Sequence, residues 1–482
     1  MKRLKVLSFT LIFLITSLFS CQSPTEPPAI KDEIGATTDN LDTQIVKDLN
    51  AIIHPLNGAS PNLSNSDLET LSYLSNAKIV GLGEATHGTK EFFQLKYRIF
   101  KFLVENYGFK AFGFEADMGE SIYIDRYIIR GEGNLNDLML SKMHFWTWRT
   151  QEVKDLFEWM RQYNTGKSEE NKIHYIGFDC QFITYQPDLI LEYFNRVKPE
   201  FVPKILPAIQ MIKNIGNTSS SQVRDYYANI DQARKLEIAD TLQEALNKIT
   251  AIENELISKS SDFEYQTVKQ LVVNLKQTND VIFSSTHSNY SINYRDKYMA
   301  DNAVWISNLF GTNGKITLWA HDGHIANNPS YWGGGSMGNF LRNKLANQYQ
   351  IVGFSFSKGY FEAVSQNGNN FSGLNVQLIN TAPQKNSLNY LFFNAKYDNF
   401  ILKTADIPTN TEFGKWIAIP EPFFMIGAVY NGNPEAYYSN ILLRYYFDVL
   451  INYDITNAAV QLQSNTAKRY YYFNQDIRKN IF

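Results

Sequence analysis

At 482 residues, the chain has room for roughly two to four domain-sized units, or one large α/β unit carrying an insertion. A formal net charge of −3 and the lack of any long basic run exclude a field that recruits nucleic acid. The 44% hydrophobic and 19% charged residues are the balance of a soluble globular fold, and the 33 Phe and 29 Tyr read as core and groove walls rather than a cofactor box.

The N-terminus has the pattern of a processing signal. Lys2, Arg3 and Lys5 precede an apolar stretch from Leu7 to Leu18, and Leu18-Phe19-Ser20-Cys21 resembles a lipoprotein signal-peptidase box. That stretch is shorter than the roughly 20 residues needed to cross a bilayer. Residues 1–20 are therefore expected to be removed, Cys21 to carry lipid, and residues 21–44, with Pro24, Pro27 and Pro28, to form a tether. The expected location is outside the cytoplasm, anchored to the cell envelope on its periplasmic or surface side. The chain has two cysteines, so a lipidated Cys21 leaves Cys180 without a disulfide partner and excludes a thiolate zinc site.

Further along, short β-rich apolar runs alternate with helical patterns, as buried parallel strands do. Ile79 to Gly83 runs into Glu84, with His87 three residues on. Lys90 to Tyr107 is a predicted helix, carrying Phe93, Tyr97, Phe100 and Val104 at spacings of three and four and ending at Gly108. Ala111 to Phe114 then runs into Glu115, which completes a βαβ unit. A second amphipathic helix, Thr150 to Tyr163, leads to the run Ile173 to Phe178, which ends on Asp179. From Pro187 to Ser285 only helical patterns are present, notably Asp231 to Ser258 and Thr267 to Phe283. Ile316 to Ala320 runs into His321, again with a histidine, His324, three residues on. Further strands are predicted at Gln350 to Phe356, Phe424 to Tyr430 and Phe447 to Tyr453. Ligands of open α/β sheets sit beyond the carboxyl ends of the strands. One sheet edge is thus expected to gather Glu84, His87, Glu115, Asp179, His321 and His324.

Several segments in this order resemble the erythromycin esterase-like family, whose signature is a Gly-Glu-x-x-His turn after the first strand, here Gly83 to His87. Gly113-Phe114-Glu115 matches its second glutamate, and Trp146-Thr147-Trp148-Arg149-Thr150 with Glu152 its Trp-rich stretch. Gly177-Phe178-Asp179, Arg295-Asp296, Ala320-His321-Asp322-Gly323-His324, Met337-Gly338, Ile426 to Tyr430 and Phe447 to Leu450 follow in turn. The resemblance implies that His87 is a general base activating water against a lactone carbonyl. It implies that Glu84 and Glu115 orient the histidine or the water, and that His321 and His324 position substrate and stabilise the oxyanion. A free imidazole titrates at about 6.5, which suits it to that work near neutral pH. A carboxylate beside it fixes the tautomer. Nine residues past the first histidine the family carries an arginine; here the position is Lys96, with Arg98 two residues on and so on a different helix face. Lysine keeps the charge but loses the planar fork, which bears on a macrolide substrate and not on the hydrolytic machinery. Lys96, Arg98, Arg149, Asp179 and Arg295 are expected to support the site or bind substrate.

Three other readings use the same residues. Glu84, His87, Glu115, His321 and His324 are competent metal ligands, so a metal-dependent hydrolase or protease is an alternative. Gly334-Gly335-Ser336-Met337-Gly338 satisfies a serine-hydrolase elbow, but residues Asn327 to Trp332 form no strand before it, and it reads as a glycine-rich loop. A lipid-anchored binding protein would need the cleft but not its ionisable groups.

The expected fold is therefore a three-layer α/β domain around a mixed, largely parallel sheet, in two parts (45–186 and 286–482) separated by a helical insertion (187–285). The expected function is hydrolysis of an ester or lactone, a macrolide being one example, with no cofactor, no metal and no nucleic acid. The expected partners are a small-molecule substrate and, through the N-terminal lipid, a membrane.

Overall fold

The computed structural model describes residues 43–216, 220–287 and 294–463. The predicted signal and Cys21 lie outside these residues, and α1 (Thr43–Ile52) already begins inside the span expected to be tether. The chain continues through β1 (His54–Pro55), β2 (Ile79–Leu82), α2 (Lys90–Tyr107), β3 (Ala111–Asp117), α3 (Met118–Arg130), α4 (Leu135–Lys142), α5 (Gln151–Asn164) and β4 (His174–Asp179). Helices α6 (Gln186–Val197), α7 (Val202–Gly216), α8 (Ser220–Ala228), α9 (Gln232–Thr250), α10 (Glu253–Lys259), α11 (Asp262–Thr286) and α12 (Tyr294–Leu309) follow, with no strand among the described residues. The third stretch runs β5 (Ile316–Trp319), α13 (Asp322–Ile325), α14 (Met337–Leu345), β6 (Tyr349–Ser355), β7 (Lys358–Asn367) and β8 (Asn370–Ile379). It ends with β9 (Asn399–Lys403), β10 (Glu421–Phe424), β11 (Val429–Tyr430), β12 (Tyr438–Ile441), β13 (Val449–Tyr453) and β14 (Ile455–Thr456).

Eight strands form the main sheet in the order β1-β9-β13-β6-β2-β5-β3-β4. From β13 to β4 every pairing is parallel, and β9 is antiparallel to both β13 and β1. Alternation along each strand fills two cores. Ile79, Ala111, Ile316 and Leu318 face the layer of α1, α12 and α14. Val80, Leu82, Phe112, Phe114 and Trp319 face the layer of α2 and α5. Such two-sided burial is why the predicted strands are continuous apolar runs. The mixed, three-layer α/β architecture is the one expected.

Helices α6 to α11 build a third core of their own, centred on Ile190, Phe194, Ile209, Leu242, Tyr265 and Leu275. The predicted helix Asp231 to Ser258 is two helices, α9 and α10, which meet at Ala251 and Ile252. The run predicted as one strand from Phe424 to Tyr430 is likewise divided. Its ends pair in different sheets, as β10 and β11, and Met425 to Ala428 cross between them as a loop. The antiparallel hairpin of β7 and β8 has no counterpart in the sequence reading.

Candidate active site

In the sheet, β2, β5, β3 and β4 are consecutive neighbours, so the residues at their carboxyl ends become neighbours too. The turn after β2 is tight. A Cβ on Gly83 would lie 1.8 Å from the Asp322 carboxylate, and one on Gly88 would lie 2.3 Å from the Glu362 carbonyl oxygen. Only glycine lets the chain pass at these two places. Between them Glu84 is completely buried, while the His87 side chain stays 16% exposed. His87 Nδ1 donates to Glu84 Oε1 at 2.7 Å, which fixes the tautomer and leaves Nε2 without a hydrogen-bond partner among the described residues. Glu84 Oε2 accepts from Trp319 Nε1 at 2.8 Å and from Lys96 Nζ. Burial pushes the Glu84 carboxyl up, but Lys96 and His87 more than offset this and hold it below its ordinary value. The Lys96 ammonium is fully buried, 4.1 Å from the centre of a Trp319 ring. For it burial wins over the pairing with Glu84 and brings its pKa down to about 8.

The second cluster is centred on Arg295, at the start of α12. Its Nε donates to Asp179 Oδ1 at 3.0 Å, and its Nη2 to Asp179 Oδ2 at 2.8 Å and Glu115 Oε1 at 2.6 Å. Glu115 Oε2 accepts the His321 backbone N–H at 3.1 Å. Burial opposes the Glu115 charge, yet His324 and Arg295 hold the carboxyl well below the usual carboxylate range. His324 Nδ1 donates to Asp296 Oδ1 at 2.5 Å, with Nε2 3.1 Å from Arg295 Nη1 and 3.4 Å from Glu115 Oε1. Burial lowers this imidazole, but Asp296 and Glu115 outweigh it and the net shift is upward.

His321 sits between the two clusters, its ring centre 5.0 Å from that of His87. Both of its nitrogens are already used. Nε2 donates to the Ile426 carbonyl at 3.0 Å, and Nδ1 accepts the Gly323 N–H at 3.1 Å, capping α13. Burial and the neighbouring His87 bring its pKa down to about 3. It is a neutral brace for the loop of Met425 to Ala428, not a free donor to an oxyanion.

Two of the expected supporting cations are elsewhere. Arg98 faces away from the sheet edge, bonded to Asp67 and to the Gly58 and Ser64 carbonyls, and so has no place in the site. Its position two residues beyond Lys96 turns it to the other side of α2. Arg149 donates to the carbonyls of Met143, at 2.9 Å from Nε, and His144, at 3.3 Å from Nη2, organising the loop that borders the site. Its neighbour Thr147 donates from Oγ1 to the His87 carbonyl at 2.7 Å. Sequence reasoning gave no role to Trp319, Thr147, Ile426 or the pairing of Asp296 with His324, although each of these residues lies in a run or motif it had marked. Among the described residues no group of three His, Cys, Asp or Glu side chains is arranged to hold a metal ion.

The site thus gathers a carboxylate-oriented imidazole and an arginine–histidine pair at the carboxyl edge of an α/β sheet. The family model for erythromycin esterase matches residues 104–456, and the chain belongs to that family. Erythromycin esterase type II of Escherichia coli is 26% identical over 306 residues, covering 60% of this chain and 72% of that protein. A Bacillus subtilis (strain 168) protein named putative hydrolase YbfO is 23% identical over 372 residues, covering 72% and 76%. Among solved structures, a Bacillus cereus protein superposes with TM-score 0.75 at 24% identity, covering 87% of this chain and 99% of its own. EreC, an erythromycin esterase solved as a mutant in an open conformation, does so with TM-score 0.60 at 17% identity, covering 83% and 96%. At these identities the structures speak for the fold alone; family membership supports a hydrolase.

Proposed function

We propose that the chain hydrolyses an ester or lactone with water activated by His87. The observation that carries this reading is the Glu84–His87 pair: Nδ1 is fixed at 2.7 Å on a buried carboxylate, and Nε2 is left open on a partly exposed ring. Water bound at Nε2 loses a proton to the ring as its oxygen attacks the carbonyl carbon, and Glu84 stabilises the imidazolium that forms. The negative oxygen that develops falls to the Arg295 side of the site, where Asp179 and Glu115 hold the guanidinium firmly charged. Lys96 supports the reaction from beneath through Glu84, without touching substrate. The names of the relatives make a macrolide lactone the first substrate to assay. The test is turnover of a macrolide and of simple esters by the purified full-length protein, before and after exhaustive treatment with chelator. We expect hydrolysis of at least one of them, unchanged by chelator. Binding without turnover would overturn the enzymatic reading. Activity lost to chelator and restored by a divalent ion would reassign the glutamates and histidines as ligands.

We further propose that the protein is exported and held to the cell envelope through lipid on Cys21. This rests on the basic and apolar pattern before that residue. No helix among the described residues is long and apolar enough to cross a membrane.

A further inference from the structure

The carboxyl edge of the sheet holds a second imidazole built like His87. His144, in the loop between α4 and α5, places its Nδ1 against Glu120 Oε2, which also accepts the His144 backbone N–H at 2.8 Å. Glu120 lies in the first turn of α3, straight after β3, and is completely buried; the His144 side chain is 16% exposed, as that of His87 is. Tying Nδ1 to the carboxylate leaves Nε2 without a hydrogen-bond partner among the described residues. The ring is held flat against Phe182, just past β4, at 3.9 Å between centres and 6° between planes. Arg149 fixes the backbone around it.

Two connections join this pair to the first. Thr147, three residues after His144, is bonded to the His87 carbonyl. The loop that carries His144 is thereby fastened to the turn that carries His87, both at the carboxyl edge of the sheet. Asp117 accepts the Glu120 N–H at 3.4 Å and stands opposite Asp179 in the strand ladder, which links Glu120 to the Arg295 cluster. A loop-pinning role alone does not account for the second oxygen of Glu120, Oε1, which is buried with no hydrogen-bond partner among the described residues. Leaving an acceptor so costs about 1–3 kcal/mol, and such groups call for an explanation beyond packing.

We propose that His144, oriented by Glu120, is the general acid for the alcohol half of the ester. The proposal rests on the hydrolase reading above and assigns it a second participant. Water adds to the carbonyl carbon as His87 Nε2 takes its proton. The tetrahedral intermediate then collapses, the bond from carbon to the leaving oxygen breaks, and that oxygen takes the proton from Nε2 of the His144 imidazolium. The proton that His87 took from water passes to solvent, and solvent reprotonates His144. Water and ester become acid and alcohol with nothing left over.

A pair of esters with the same acyl group separates this from a structural role. A p-nitrophenyl ester leaves as a stable phenolate and needs no proton, whereas a simple alkyl ester leaves as an alkoxide and does. In the full-length protein, His144→Gln is expected to lower kcat/KM for the alkyl ester by about 10² or more while leaving the aryl ester within about threefold of wild type. Glu120→Gln is expected to show the same selectivity to a smaller degree. The aryl activity is also the control for folding. Equal loss on both esters would overturn the proposal and leave the hydrolase reading standing, as would a wild-type enzyme that cleaves the aryl ester only. A wild type that cleaves no ester or lactone would remove the hydrolase reading, and the proposal with it.

Discussion

Lys96 has no access to solvent; its ammonium is paired with Glu84 and lies against the Trp319, Phe93 and Phe354 rings. Burial has brought its pKa from an ordinary 10.5 to about 8. As pH rises through that value the ammonium loses its proton and Glu84 loses its cation. We therefore predict that wild-type kcat/KM declines above about pH 8, and that Lys96→Arg, which stays charged, removes the decline. An unchanged alkaline limb in a folded Lys96→Arg protein would contradict this role. Lys96 also has a signature in stability. Between about 8 and 10.5 the unfolded chain holds more protons on this residue than the folded one, so its contribution to stability grows with pH across that window. Lys96→Met should lack that rise, and should be less stable at pH 7 by about 3–5 kcal/mol, the usual cost of leaving a buried partner unpaired. His321 makes a different prediction. Because both nitrogens are hydrogen-bonded and the ring is neutral, His321→Ala should destabilise by about 1–3 kcal/mol in a denaturant titration. At this scale the sequence showed which residue types end the strands. It did not show what faces them: the partner of His144 is 24 residues away, and that of Lys96 is 12.

Among the elements, a C-terminal strap at residues 457–462 ties the two functional loops together. Ala459 N–H donates to Gly88 O at 3.0 Å, and Lys90 N–H to Asn457 O at 2.9 Å, beside His87. Gln151 N–H donates to Val460 O, and Leu462 N–H to Arg149 O, both at 2.8 Å, beside the His144 loop. Buried carboxylates grip its side chains and backbone: Glu91 holds Asn457, Glu152 the Val460 N–H, and Glu362 the Gln461 amide. Burial raises the Glu362 carboxyl to about 7. Its folded value lies above the unfolded one, so its favourable contribution is complete below the ordinary 4.5 and is lost as pH rises through about 7. Glu362→Gln keeps the shape without the charge. It should raise the Tm at pH 8, by up to about 3 kcal/mol in stability, and change little at pH 5. Equal effects at both pH values would show that the gain has another origin. None of the strap is periodic or apolar enough to be legible in sequence. The parallel strands were legible because both faces of each are buried, and Met425 to Ala428 was misread because an apolar loop over a site has the same composition as a strand.

For the molecule as a whole, the alternation of apolar runs with helical stretches was enough to indicate a parallel sheet with a helical insertion. The antiparallel β9 and the hairpin of β7 and β8 were not, since their pairing depends on distant partners. The proposed anchoring is tested on the whole chain: Cys21→Ser should move the processed protein from the membrane fraction to the soluble one, and continued membrane association would place the anchor on another surface. The central claim is that His87, held by Glu84, delivers the water. It is tested most directly by kcat of His87→Asn on whichever ester or lactone the wild type cleaves, measured beside the circular dichroism spectrum of the same protein. The account predicts a loss of at least ~10² in kcat with the spectrum unchanged. A folded variant that turns over at the wild-type rate would contradict it.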